Sequence, residues 1–296
     1  MRSCRMIGSM ALALCLMSAL VPFDVAAAQP DGVRAPAHPD LRSNAFYILD
    51  EADSSVLAAR RERVPVPIAS ITKLMTALVV LDAGQRTDEI LAITSDDVRG
   101  TAGSGSRLAP GVRLSRGDLL HLALMSSENR AAHALCRSYP GGTPACVRAM
   151  NQRAQALGMT TARFVEPTGL SSSNVASPED LAKLVLAAAQ NPTIREFSTD
   201  TDHTVRVNRR QLEFRNTNRL VANPGWQVSV QKTGYISEAG RCLVMQTVID
   251  GRQVVIVLLN SWGKLTRIAD AQRVRNWVES THRAVASASS PSVPSG

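Results

Sequence analysis

Strand signals at the two ends of this chain, with a long stretch of helical patterning between them, restrict its possible folds more than any other feature. Toward the C-terminus, Trp226 to Tyr235, Cys242 to Ile249 and Gln253 to Leu259 are short β-rich runs. Asp250-Gly251 joins the last two, and both residue types accept the left-handed backbone that a two-residue hairpin turn demands. Toward the N-terminus, Ala45 to Leu49 and Ser55 to Ala59 flank Asp50-Glu51-Ala52-Asp53 in the same hairpin pattern. The middle reads differently. Ser70 to Ala83, Ser115 to about Leu157 and Ser177 to Gln190 carry apolar residues at helical spacing, and Ser177 before Pro178 reads as an N-cap. Gly100 to Gly111 reads as an exposed loop, and Leu265 to Val278 as a last helix. Strands at both ends with helices inserted predict an α+β layer carrying a mostly helical subdomain over roughly residues 85–190.

The first 28 residues predict an export signal: Arg2 and Arg5, an apolar run from Met6 to Leu20, and the small residues Val25-Ala26-Ala27-Ala28 at a cleavage point near Ala28. The run is too short to span a bilayer. The expected product is therefore periplasmic, without a stable membrane anchor. A flexible leader over 29–42, a folded domain over 43–280 and a disordered tail over 281–296 complete the expected organisation. The whole chain carries a net charge of +8; residues 1–28 contain two arginines and one aspartate, so their removal leaves +7. That balance favours an anionic partner. No basic cluster interleaved with aromatic residues occurs, so no nucleic acid is expected. The five histidines lack paired ligand spacing, so no metal and no cofactor is expected. Neither a Gly-x-Ser-x-Gly elbow nor a phosphate loop is present, since Gln231 stands before Lys232-Thr233 where the loop needs glycine.

Removal of the signal leaves Cys136, Cys146 and Cys242. The stretch between the first two is rich in turn residues and could close a disulfide in an oxidising compartment, with a pair of buried thiols as the alternative. Cys242 lies in a strand-like run and reads as a packed core residue.

Serine chemistry remains, and lysine is scarce enough to direct it. Three of the four lysines follow a serine by three positions: Ser70 and Lys73, Ser229 and Lys232, Ser261 and Lys264. Only the first pair falls on a predicted helix, where residues three apart share a face; on a strand they point to opposite faces. At the first turn of that helix the Ser70 hydroxyl meets the positive end of the helix dipole, and a lysine held neutral by burial or by a second cation could take its proton. Two further motifs accompany this one. Ser127-Glu128-Asn129 interrupts two helical patterns, which places its side chains at a helix junction. Lys232-Thr233-Gly234 ends a β-rich run, where a cation, a hydroxyl and open backbone could hold a carboxylate and an extended peptide.

In this order the three motifs resemble the signature of the penicillin-recognising serine enzymes, Ser-x-x-Lys, Ser-x-Asn and Lys-Thr-Gly. The stretches around 69–77, 114–132, 156–170 and 231–245 are similar to the low-molecular-mass penicillin-binding proteins of the D-alanyl-D-alanine peptidase family. Phe164 to Leu170, Phe214 to Asn218 and Ala239 to Met245 are similar to its endopeptidase members in particular. The resemblance implies a β-lactamase/DD-peptidase-like fold, a five-stranded antiparallel sheet flanked by helices. It also implies Ser70 as the acylated nucleophile, Lys73 as its base, Ser127 as the proton relay to the leaving amine, and Asn129 on the substrate amide. Lys232, Thr233 and Gly234 would receive the substrate's carboxylate end, and the N–H groups of Ser70 and Tyr235 would form the oxyanion hole. Implied partners are peptidoglycan stem peptides and cross-links, with β-lactams as covalent inhibitors. Glu128 stands where glycine is common in the carboxypeptidases; endopeptidase-type relatives are similar in carrying Glu. The implied reaction is hydrolysis of D-Ala-meso-diaminopimelate cross-links. A D-Ala-D-Ala carboxypeptidase is the main alternative; a β-lactamase is more distant because Glu166 lacks the Glu-x-x-x-Asn setting of class A lactamases, and a non-catalytic peptidoglycan-binding protein because Ser70, Lys73, Ser127, Asn129, Lys232 and Thr233 are all intact.

Overall fold

The computed structural model describes residues 38–207 and 209–289. The expected export signal, most of the expected leader and the last seven residues lie outside them.

The chain enters through β1 (Ser43–Asp50), returns along β2 (Val56–Arg60), and passes β3 (Val66–Pro67) and a 3-10 turn (Ala69–Ile71) into α1 (Thr72–Asp82). A mainly helical block follows: β4 (Ile90–Ala92), α2 (Ser95–Arg99), β5 (Arg113–Ser115), α3 (Arg116–Met125), α4 (Asn129–Arg137), α5 (Gly142–Ala156), β6 (Val175–Ala176), α6 (Pro178–Ala189) and α7 (Pro192–Thr199). A hairpin, β7 (Asp202–Val207) and β8 (Arg210–Arg215), leads back to β9 (Gln227–Ile236), β10 (Gly240–Ile249), β11 (Arg252–Ser261) and the closing helix α8 (Thr266–Ser289). The five-stranded sheet has the order β2-β1-β11-β10-β9, and every neighbouring pair is antiparallel. The two ends of the sequence thus meet in one sheet, with Phe46 opposite Leu258 and Ile48 opposite Ile256. Asp250 and Gly251 both take positive φ, 50° and 76°, as the turn signal requires.

Period-two alternation explains why β11 reads as an unbroken apolar run. Val255, Val257 and Leu259 face the core shared with the helical block, while Val254, Ile256 and Leu258 face a second core under α8. Ala271, Val274, Trp277 and Val278, spaced to one stripe of α8, close that second layer. Ser177 caps α6 as expected, its hydroxyl accepting from the Asp180 N–H, with Pro178 at the first helical position.

Three expectations change. Leu41, assigned to the flexible leader, is buried in the second core, and the Asp270 carboxylate accepts from the Arg42 and Ser43 N–H groups at 3.2 and 2.7 Å. The disordered tail was expected from 281, yet α8 runs to Ser289: the alanine-rich residues after Val278 are strong helix formers and the first breaker is Pro291. The segment 192–215, given no element by periodicity, holds α7 and the β7–β8 hairpin. Its strands bury chiefly Val205 and Phe214 among charged neighbours, which dilutes the alternation. Among the described residues no helix is long and apolar enough to cross a membrane.

Candidate active site

Ser70 stands in the 3-10 turn that opens α1, one residue after Ala69, whose φ is +47°. A left-handed alanine costs backbone strain, and its surroundings hold it there. Gly169, itself at φ +81°, lies against the Ala69 carbonyl so closely that any side chain at 169 would collide with it. On the other flank Gly234 backs onto the same turn: a Cβ at 234 would sit 3.0 Å from the Ser70 nitrogen. Glycine at both positions is thus a condition for the presentation of Ser70.

Lys73, one turn along the same face, is fully buried. Its Nζ lies 2.8 Å from Ser70 Oγ, 2.7 Å from Asn129 Oδ1 and 2.6 Å from the Thr168 carbonyl oxygen. Burial pushes the ammonium down to about 7, against the opposing pull of the Glu166 and Glu128 charges. The helix junction behaves as its sequence implied. Glu128 caps α4 by accepting from the Arg130 N–H, Asn129 opens that helix, and Ser127 takes φ +62°. The Ser127 hydroxyl carries no hydrogen bond to another described residue and is only half-buried.

The third motif lies on β9, the edge strand of the sheet. Lys232 is fully buried, its Nζ donating to the Thr233 carbonyl at 3.0 Å; burial and the charges of Lys73 and Arg267 push it well below its usual value. The Thr233 and Thr217 hydroxyls are 2.6 Å apart. The Gln231 N–H leaves the sheet to meet Ser198 Oγ at 3.4 Å. Backbone alternation turns the Thr233 and Tyr235 N–H groups to that same free edge, the edge on which Ser70 lies. The structure therefore brings Ser70, Lys73 and Asn129 into direct contact and sets Gly234 against the turn that carries Ser70. The other two serine–lysine pairs fall apart: Ser229 and Lys232 share a strand, and Ser261 is buried against Ser43 Oγ while Lys264 is exposed.

A profile for the D-alanyl-D-alanine carboxypeptidase family matches residues 32–263. The chain belongs to this family, peptidase S11. It is 45% identical over 272 residues to a D-alanyl-D-alanine endopeptidase of Pseudomonas aeruginosa, covering 91% of this chain and 88% of that one. It is 44% identical to a D-alanyl-D-alanine endopeptidase of Escherichia coli, covering 90% and 86%. Among solved structures, the Streptomyces K15 DD-transpeptidase superposes with a TM-score of 0.76 at 26% identity, over 82% of this chain and 98% of the other. A D-alanyl-D-alanine carboxypeptidase of Mycobacterium tuberculosis gives 0.74 at 26% identity, over 85% and 96%. The expected DD-peptidase-like α+β fold is therefore the fold of this protein.

Sequence reasoning gave no role to the segment that completes the cluster. Glu166 Oε2 accepts from the Thr168 N–H and hydroxyl at 2.6 and 2.5 Å, and its Oε1 from the Gly169 N–H at 2.6 Å and Asn174 Nδ2 at 2.9 Å. Asn174, fully buried, also accepts from the Val165 N–H and donates to Thr72 Oγ1. This clamp aims the Thr168 carbonyl at Lys73 and sets Gly169 under Ala69. Glu-Pro-Thr-Gly was visible as a similar stretch, but an acceptor supplied by a backbone carbonyl leaves no side-chain signature. Arg267 was also missed: its Nη1 donates to the Gly234 carbonyl at 3.0 Å across from α8. The cysteine pair is bonded, Cys136 to Cys146, with Cα atoms 5.4 Å apart, joining the end of α4 to α5. Cys242 is a core thiol, pushed up to about 11 by burial.

Proposed function

We propose that this protein is a periplasmic serine D-alanyl-D-alanine endopeptidase that hydrolyses D-Ala-meso-diaminopimelate cross-links of peptidoglycan through an acyl-enzyme. One observation carries the mechanism: a buried lysine pushed down to about 7 lies 2.8 Å from the hydroxyl of the strained-turn serine. Neutral Lys73 has two N–H groups for the Asn129 and Thr168 oxygens and one lone pair for the Ser70 hydroxyl, so its surroundings suit the base form. Ser70 Oγ attacks the D-Ala carbonyl as its proton passes to Lys73. The Ser70 and Tyr235 N–H groups take the oxyanion, where one donor is typically worth ~3 kcal/mol. Collapse breaks the C–N bond, and the leaving amine takes a proton through Ser127. Water then attacks the ester, giving its proton to Lys73, and frees Ser70. Asn129 holds the substrate amide. Lys232 and Thr233 hold the carboxylate on the D-centre beyond the scissile bond, with Gly234 leaving room for the extended backbone. A carboxylate beside Lys232 would also restore the charge that burial disfavours.

The endopeptidase names of the two relatives, each covered over most of its length, favour cross-links over terminal D-Ala. The Cys136–Cys146 bond and the N-terminal signal pattern support export to an oxidising compartment. Glu166 is occupied by its own loop, which argues against a lactamase-like role in deacylation. The test is digestion of purified cross-linked muropeptide dimers, with products identified by mass. Dimers are expected to become monomers faster than a pentapeptide loses D-Ala, with both activities lost in Ser70→Ala. Release of terminal D-Ala alone would assign a carboxypeptidase instead.

A further inference from the structure

Beside Thr217, whose hydroxyl meets that of Thr233, a cleft of about 500 Å³ opens between the segment that follows β8, the start of β10 and the N-terminal turn of α8. Four cations line it, Arg219, Arg241, Lys264 and Arg267, and no acidic residue does. None of the four forms an ion pair with a described residue. Arg241 lies across the strand from Tyr235, its guanidinium 4.6 Å from the centre of that ring. Arg267 spends Nη1 on the Gly234 and Cys242 carbonyls, while its buried Nε has no hydrogen-bond partner among the described residues. Burial and the Arg241 charge both push Arg267 below its usual value. Four like charges around one cavity are a standing electrostatic cost that an anion would relieve.

The location decides which anion. Thr217 lines the cleft and its hydroxyl touches that of Thr233, where the reaction above holds the carboxylate of the D-centre, so the cleft adjoins the leaving-group side. A terminal D-Ala brings only that first carboxylate. A cross-link continues from the same centre into a second stem peptide, which carries further carboxylates. We infer that this cleft is a second anion subsite, taking a further carboxylate of the acceptor stem, and that Arg219, Arg241 and Lys264 set the preference for cross-links over terminal D-Ala. The inference rests on the endopeptidase reading and deepens it. Arg267 joins the two subsites, since it is held by the strand residue next to Thr233.

The test compares a soluble muropeptide dimer with a short peptide ending in D-Ala-D-Ala, using the full-length mature protein. Arg219 and Lys264 are exposed and make no hydrogen bond within the described residues, so Arg219→Gln with Lys264→Gln leaves the packing intact. The ratio of kcat/KM for dimer over short peptide is expected to fall about tenfold, which is about 1.4 kcal/mol, chiefly through KM. Arg219→Lys with Lys264→Arg should restore it. In a Ser70→Ala background the same double change should weaken dimer binding by a similar factor in calorimetry. A parallel fall on both substrates, or an unchanged ratio and Kd, would overturn the subsite. If the unaltered protein splits no dimer, the endopeptidase reading fails separately, and the calorimetric series on Ser70→Ala still decides whether the cleft binds the anionic stem.

Discussion

Lys73 shows how the protonation of one buried group governs the site. Its folded value of about 7 lies below the ordinary lysine value of 10.5, so the neutral form, which the proposed mechanism uses to accept the Ser70 proton, appears as pH rises through about 7. Acylation by a β-lactam, followed by intact mass, is expected to accelerate across that range, while Lys73→Ala should slow it by roughly 10² to 10⁴, the usual contribution of a positioned base. Glu166 raises the Lys73 value, so Glu166→Gln should move the midpoint toward acid as well as slow the reaction through loss of its loop contacts. A rate independent of pH between 6 and 8 would remove Lys73 from the role of base. At this scale the sequence pointed to side chains, of which the fold brings Ser70, Lys73 and Asn129 into contact, and was blind to backbone. Ser70, Lys73, Ser127, Asn129, Lys232 and Thr233 could be named because each motif needs its own side chains. The Thr168 carbonyl, and the two glycines that admit the Ala69 turn, act through main-chain shape that many sequences could supply.

Elements were legible where they bury a periodic face and illegible where they do not. The helices α1 and α3 are buried almost all round and α6 over a broad face, so their apolar content marks them out, whereas α7 and the β7–β8 hairpin rely on a few anchors set among charges. One anchor is a stack joining α3, α7 and β7: the His121 ring lies 4.5 Å from that of Phe197 and 4.0 Å from that of His203. Burial, then the His203 charge, pushes His121 down to about 4 despite the nearby Asp200 and Asp118 carboxylates. A lowered folded value means that the unfolded chain binds the proton more readily. The stabilising contribution is therefore complete above about pH 6.5 and is lost as pH falls toward 4. Urea unfolding should lose roughly 1 to 3 kcal/mol over that window from this group, and His121→Phe should flatten the loss; parallel curves for both proteins would refute it. The disulfide is a second element-scale device. The segment between its cysteines, read as a turn-rich loop, instead ends in the first turns of α5, so the bond staples two helices. Replacing both cysteines by alanine should lower the unfolding free energy by about 2 to 3 kcal/mol, as expected for so short a loop. Unchanged stability would show that the bond constrains nothing the helices do not already hold.

For the molecule as a whole, the architecture was readable because strands at both sequence ends must share one sheet, and the helical block between them must then pack on its face. What the pattern could not show was the use of the second face: α8 outlasts its apolar stripe and residues from Leu41 onward join that layer, through a buried Asp270 whose role no periodicity signals. The net charge of residues 29–296, +7, belongs to this scale too. A cationic protein and an anionic wall polymer attract over distances set by the Debye length, which shrinks from about 30 Å at 0.01 M salt to about 10 Å at 0.1 M. Long-range attraction raises encounter more than turnover. A soluble dimer presents few charges, whereas an intact sacculus presents an extended sheet of them. Between those two salt concentrations, product release from sacculi should therefore fall by a larger factor than hydrolysis of the soluble dimer, and kcat on the dimer should hardly change. Equal salt dependence on the two substrates would confine the electrostatics to the cleft itself and leave the overall charge without a part in reaching the wall.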